Sequence, residues 1–255
     1  MDTFFPLLSP AELALAIGVA LVAGFVKGVV GFAMPLIFIS GLTVFISPEL
    51  ALAGLIIPTL VTNTHQALRQ GVQPAIKSVV SFRVFLLAGG LALIVSAQMV
   101  RVFPDHVMMA VIGAPVTFFA LLQLSGYQLS LPQRNVPVEV TAGVIAGSLG
   151  GVSGIWGPPT VAYLTALGTA KQDQIRIQGV IYGLGAVALL GAHVSSGVLR
   201  AETISFSIAM APPAFLGMWA GMAVMDRIDQ TAFRRATLFV LLVAGLNLLR
   251  RAWFG

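Results

Sequence analysis

Lys27 is a cation deep inside a long apolar run, beside a cluster of glycines. A charge at the centre of a bilayer costs roughly 2.5–3.5 kcal/mol on insertion scales, so it needs a wet cavity or a partner. Two roles fit it: attracting an anion, or pairing with a helix C-terminus. A second set, Thr59, Thr62, Asn63, Gln66 and Arg69, recurs at helical spacing and shares one face. Such a stripe does not sit comfortably in lipid; it lines a cavity or hydrogen-bonds to neighbouring helices. His65 falls off the stripe. Later in the chain, Arg176, Gly179, Tyr182 and Gly183 lie on a comparable face, with Gln178 beside it. Arg83 starts another apolar run and either reaches into a cavity or snorkels to the interface. Trp156 stands in Gly154-Ile155-Trp156-Gly157-Pro158-Pro159, where it walls a site or packs in the interior. The chemistry these groups share is recognition of a small anion by a few donors.

Other chemistries are poorly supplied. The chain has no cysteine, which removes disulfides, thiolate metal sites and cysteine nucleophiles. His65, His106 and His193 show no metal-ligand spacing, and no cofactor is expected. Every carboxylate (Asp2, Glu12, Glu49, Asp105, Glu139, Asp173, Glu202, Asp226 and Asp229) falls in or near an expected connection. A proton or sodium relay on buried acids is therefore disfavoured. An anion leaving a cell with a negative interior gains about 2.3 kcal/mol per charge per 100 mV, so its export needs no coupling ion.

The elements that position these residues follow from composition. Of 255 residues, 58% are hydrophobic and 9% charged, with a mean hydropathy of +0.97. Soluble domains run near a quarter charged, so a soluble globule, a disordered chain and a coiled coil are all excluded. The reading is all-α, a polytopic transmembrane helical bundle. The net charge of +5 sits mostly in connections, where basic residues report orientation, and nucleic acid is not an expected partner. The N-terminal Met1-Asp2-Thr3-Phe4-Phe5-Pro6 lacks the basic n-region of a cleaved signal peptide.

Eight long apolar blocks run over 11–46, 49–69, 76–100, 105–128, 138–168, 174–199, 203–225 and 231–249. The first, as one straight helix, would span roughly 54 Å against a hydrocarbon core of about 30 Å. It and 138–168 each carry a Gly/Pro cluster and should be broken helices, giving about ten segments. The clusters read Gly24-x-x-x-Gly28-x-x-Gly31-x-x-x-Pro35 and Gly147-x-x-x-Gly151-x-x-Gly154-x-x-x-Pro158, displaced by 123 residues. This predicts an internal duplication, with repeats over 1–130 and 131–255.

Charge placement separates two topologies. With Lys27 set aside as intramembrane, basic residues divide 7 against 6 for eight single crossings; if each glycine cluster turns the chain back, they divide 9 against 4. The positive-inside rule prefers the second, with five segments per half, inverted repeats and both termini outside. Arg250 and Arg251 lie on the unfavoured side of it. Gly28, Gly31, Gly151 and Gly154 suit both unusual backbone and close helix approach, while Pro35, Pro158 and Pro159 suit a helix start. Such a start inside the membrane aims free N–H groups at the midplane and forms an anion site; two facing starts would form one site. Helix packing without any ligand is the alternative.

These motifs resemble the sulfite exporter TauE/SafE family of membrane permeases. The resemblance rests on Gly24-Phe25-Val26-Lys27-Gly28-Val29-Val30-Gly31-Phe32-Ala33-Met34-Pro35-Leu36 and on Pro58-Thr59-Leu60-Val61-Thr62-Asn63 with Gln66 to Gly71. In the second half it rests on Gly150 to Pro159 and on Gln178-Gly179-Val180-Ile181-Tyr182-Gly183. Ala33-Met34 stand where the family often has further glycine. The resemblance implies a bacterial inner-membrane permease for sulfite, sulfonates or related organosulfur or carboxylate anions. Its expected substrate-binding residues are Lys27, Gly31, Phe32, Thr59, Asn63, Gln66, Arg69, Arg83, Gly154, Trp156, Gln178 and Tyr182. Expected partners are the small anion, the lipid bilayer and, optionally, a second copy in a homo-oligomer.

Two other classes compete with the permease. Gly151-Val152-Ser153-Gly154 matches the Gly-x-Ser-Gly of rhomboid proteases, with His193 as a base about forty residues on. The repeat, however, reads Gly28-Val29-Val30-Gly31, with Val30 in the place of the serine, so the glycine frame belongs to the duplication. A non-transporting membrane subunit of a complex has no sequence feature in its favour. The expected protein is a transporter and not an enzyme.

Overall fold

A computed structural model describes residues 8–98, 105–127, 130–131, 133–153, 156–195 and 201–254. Among them the chain forms eleven helices and no strand. These are α1 (Pro10–Val30), α2 (Met34–Leu42), α3 (Pro48–Leu68), α4 (Val72–Ser81), α5 (Arg83–Gln98) and α6 (Asp105–Leu124). They continue as α7 (Val136–Ser153), α8 (Gly157–Ala166), α9 (Lys171–Ser195), α10 (Ala201–Arg227) and α11 (Gln230–Phe254). Among the described residues α1, most of α10 and α11 are each long and apolar enough to cross a bilayer. The expectation of an all-helical membrane chain holds.

Local signals set the helix ends. Ser9 and Glu12 form a capping box: Glu12 N–H donates to Ser9 Oγ at 3.3 Å and Ser9 N–H to Glu12 Oε2 at 2.8 Å, with Pro10 opening α1. Ser47 Oγ likewise accepts from Leu50 N–H at 3.3 Å, ahead of Pro48. Helix α1 stops at Gly31, whose φ of 87° is left-handed and whose N–H donates to Lys27 O at 2.7 Å. Ala33, at φ 73°, takes the same region without being glycine before α2 begins. The first long apolar block is thus broken at its glycine cluster.

The described chain forms two compact units. One comprises Met1–Gly71 with Gln178–Ile228. In it α1 lies along α10, and the contact is made of glycine on both sides. A Cβ on Gly24 or Gly28 would strike the backbone of Ala214, Met218 or Gly221, and one on Gly217 or Gly221 would strike that of Leu21 or Phe25. Small residues four apart let two membrane helices approach this closely, which recovers the dispersion contacts that replace a hydrophobic driving force in lipid. Gly24 and Gly28 are therefore packing residues, and only Gly31 of that triplet turns the chain. Below this contact, Ala16, Ala20, Met34, Phe38, Leu42, Ala51, Phe206 and Met210 form a fully buried core.

The other unit comprises Val72–Ile177 with Asp229–Gly255. Here α5 lies along α7, with Gly89 against Gly143 and Gly147, and α6 lies along α11, with Gly113 against Gly245. Leu87, Leu91, Ile94 and Val95 form an exposed apolar face on α5, as a lipid-facing helix requires.

The apolar block expected over 76–100 runs as two helices, α4 and α5, that meet at 71° about Phe82. The bend has no glycine or proline at Ser81-Phe82-Arg83 to announce it. It is held from outside. Arg134 Nη2 donates to the Ser81 carbonyl, and its guanidinium lies 4.2 Å over the Phe82 ring. Glu139, buried in the first turn of α7, accepts from Phe85 N–H at 3.3 Å and binds Arg134 with both oxygens at 2.6 and 2.7 Å.

Candidate functional site

The polar stripe of α3 is the best-defined site in the first unit. Thr59, Thr62, Asn63 and Gln66 are all buried, while His65 lies off the stripe with its ring edge-on to Phe215 at 5.1 Å. Pro58 sits inside α3, and its carbonyl accepts from Thr62 Oγ1 at 2.6 Å. That bond uses the single hydroxyl proton of Thr62 and leaves its lone pairs facing outward.

Lys27 comes to this stripe from the last turn of α1. It is 2% exposed, and its ammonium donates to Thr62 Oγ1 at 2.8 Å and to Asn63 Oδ1. No carboxylate among the described residues pairs with it. The ammonium crosses to α3 and not to the carbonyls of its own helix end. Those carbonyls are served by two glutamines. Gln66 Nε2 donates to Lys27 O at 3.4 Å. Gln178, its amide nitrogen turned toward the break, donates to Val30 O at 3.3 Å and Gly31 O at 3.1 Å. The broken end of α1 is thereby satisfied by side chains, as a buried helix end must be.

The polar supply exceeds the demand. Thr59 Oγ1, Asn63 Nδ2 and Gln66 Oε1 are buried without a hydrogen-bond partner among the described residues. Each such group costs about 1–3 kcal/mol. All three lie on one face of α3 within two turns, and Asn63 touches the Lys27 ammonium. Thr62 also stands 3.9 Å from Met34 Sδ, which places the first residue of α2 beside the cluster. Helix α2 has no side-chain cap at its N-terminus. From α9, Gly179 packs against Gln66, and Gly183 faces Asn63 Cβ.

The family model for the sulfite exporter TauE/SafE matches residues 16–248. The chain belongs to that family. No curated protein and no solved structure matches it. As a TauE/SafE protein it is a membrane transport protein of the sulfite-exporter kind. Family membership does not favour the protease reading, and the side chains of Ser153 and His193 lie outside the described residues.

Of the twelve residues singled out from sequence, Lys27, Gly31, Asn63, Gln66 and Gln178 form one connected group. Thr59 is on the same face, and Phe32 is buried inside the break, between Gly31 and Ala33. Tyr182 is buried on α9 in the same unit. Arg69, at the end of the α3 stripe, is exposed and tied to Asp226 of α10. In the other unit Arg83 is exposed at the start of α5. There Trp156 caps α8 and lays its indole against Gly150, where an added Cβ would come within 2.6 Å of Cε3. Gly154 lies outside the described residues.

Thr62 was legible as a member of the stripe but not as the residue that holds Lys27. The Arg134–Glu139 pair went unmarked. Its only local signal is the spacing of five residues ahead of a helix, which is common.

Proposed function

We propose that this TauE/SafE protein is a bacterial inner-membrane permease that exports sulfite, sulfonate or a related small organosulfur anion by alternating access about the Lys27 site. One observation carries the reading: a buried ammonium held by Thr62 and Asn63, with no carboxylate among the described residues to neutralise it and unpaired polar atoms beside it. A lone buried charge is expensive unless a counter-charge arrives, and an anion is the ligand that supplies one. Export follows the inside-negative potential without a coupling ion. In support, the buried carboxylate among the described residues is Glu139, and it is engaged by Arg134.

The halves 1–130 and 131–255 are proposed to be inverted repeats with both termini outside. Helix bounds support the duplication. Displacing α2 by 123 residues gives 157–165, against α8 at Gly157–Ala166. The same displacement carries the start of α3 from Pro48 to Lys171, where α9 begins. The pairing of α1 with α10 also recurs as α7 with α5, elements that the offset makes equivalent.

The test is flux from proteoliposomes holding the full chain, loaded with sulfite, sulfonates or carboxylates, under an imposed potential. Potential-driven anion efflux that Lys27→Met abolishes is the expected result. Flux that ignores the potential and requires a pH or sodium gradient overturns the coupling. Silence toward every anion overturns the permease.

A further inference from the structure

Resting on the anion-permease reading, we infer that the Lys27 site takes a singly charged anion that carries a hydrogen-bond donor of its own. The structural basis is the mismatch left on α3. Asn63 gives its oxygen to Lys27, so the atom it leaves unpaired beside the ammonium is Nδ2, a donor. Gln66 is the reverse case. Its Nε2 is committed to Lys27 O at 3.4 Å, and the unpaired atom is Oε1, which only accepts. Asn63 is 1% and Gln66 0% exposed, so neither unpaired atom is relieved by bulk solvent.

An anion whose every oxygen is a bare acceptor satisfies Lys27 and Asn63 and leaves Gln66 Oε1 unpaired. It also brings an oxygen lone pair toward that oxygen, which repels it. An anion with an S–OH, an S–NH2 or a hydroxyl satisfies both ends: its oxyanion faces Lys27 and Asn63, and its donor faces Gln66. Thr59 Oγ1 serves either role. The charge limit follows from the same cluster, in which Lys27 is the one cation among the contacting side chains. A dianion would bring a second, uncompensated charge out of water. Hydrogensulfite, sulfamate and hydroxyl-bearing sulfonates meet both conditions; the sulfite dianion, sulfate and unsubstituted alkyl sulfonates do not.

Sulfamate and methanesulfonate test this directly. Both are singly charged sulfur oxyanions of nearly the same shape, differing in NH2 against CH3. Affinities are read from ligand-induced thermal stabilisation of the purified full chain. Sulfamate is expected to bind about tenfold to a hundredfold tighter than methanesulfonate, and sulfate more weakly than sulfamate. In Gln66→Leu the preference for sulfamate should vanish. In Asn63→Ala both monoanions should weaken together with their ratio kept. The wild-type comparison needs no variant to fold. Sulfamate binding no better than methanesulfonate overturns the donor requirement and leaves the permease standing. Sulfate binding as tightly as sulfamate overturns the charge limit. Failure of every anion, sulfite included, removes the permease reading itself.

Discussion

The two well-described helix breaks, at Gly31–Ala33 between α1 and α2 and at Phe82 between α4 and α5, expose the same kinds of backbone group and treat them differently. At Phe82 the clamp closes on itself: Arg134 takes the Ser81 carbonyl, Glu139 takes the Phe85 N–H, and the two ions neutralise each other. At Gly31 the backbone is served by Gln66 and Gln178, yet Lys27 brings an unneutralised charge, and Asn63 and Gln66 keep unpaired atoms. A saturated break is a structural joint. Under the proposed function, the break left short of partners is the one that takes the ligand, since native interiors otherwise pair their buried polar groups.

The largest expected effect tests what the first break hangs on. Gly28→Leu places a side chain against Met222 N at 2.8 Å and Gly221 Cα at 2.9 Å, backbone atoms that no rotamer change relieves. It should lower stability by roughly 3 kcal/mol or more, read as lost Tm or lost folded yield. A well-folded variant would mean that α1 and α10 are not locked by glycine.

Next comes the contrast itself. Lys27→Met should cut anion flux at least about a hundredfold, equivalent to ~2.7 kcal/mol, while Tm holds or rises. A buried charge without a counter-ion is removed, and its packing stem is kept. If Lys27→Met unfolds the protein, Lys27 is a structural joint like the other, and the distinction fails.

Arg134→Gln should act in the opposite sense, with a smaller amplitude. It leaves Glu139 buried and unpaired, and the loss is about 2 kcal/mol once the partial exposure of Arg134 is discounted. The expected signature is a lower Tm with anion affinity per folded molecule unchanged. Rescue by the double variant Arg134→Gln with Glu139→Gln would sharpen the assignment, because it removes the stranded charge. A fall in affinity at constant Tm would contradict it.

The smallest effect concerns Ala33, in the left-handed region at φ 73°. An L-residue there costs about 1–2 kcal/mol, and glycine returns part of that as chain entropy. Ala33→Gly should therefore raise stability by less than about 1 kcal/mol in a chemical-denaturation or Tm series. A decrease would show that the Ala33 methyl, which is buried, contributes more through packing than it costs in strain.

The amino-acid sequence by itself determined that this is a helical membrane chain, that its first apolar block breaks at a glycine cluster, and that Lys27 and the α3 stripe require partners. Those conclusions rest on local physics: composition, a period of 3.6 residues, and the backbone freedom of glycine at one position. Tertiary structure decided which glycines pack and which one turns. Gly24 and Gly28 are spaced no differently from a turning glycine until α10 lies against them. It also decided that Lys27 reaches α3, that Gln66 and Gln178 spend their amide nitrogens on the end of α1, and that Arg69 is taken by Asp226. The bend at Phe82 depends on Arg134 and Glu139 and leaves no mark in its own residues. Each of these outcomes is a contact between helices far apart in the chain, set by the register in which they pack. A periodicity names the face of a helix that needs company, but only the packed neighbour determines which atoms are left unpaired.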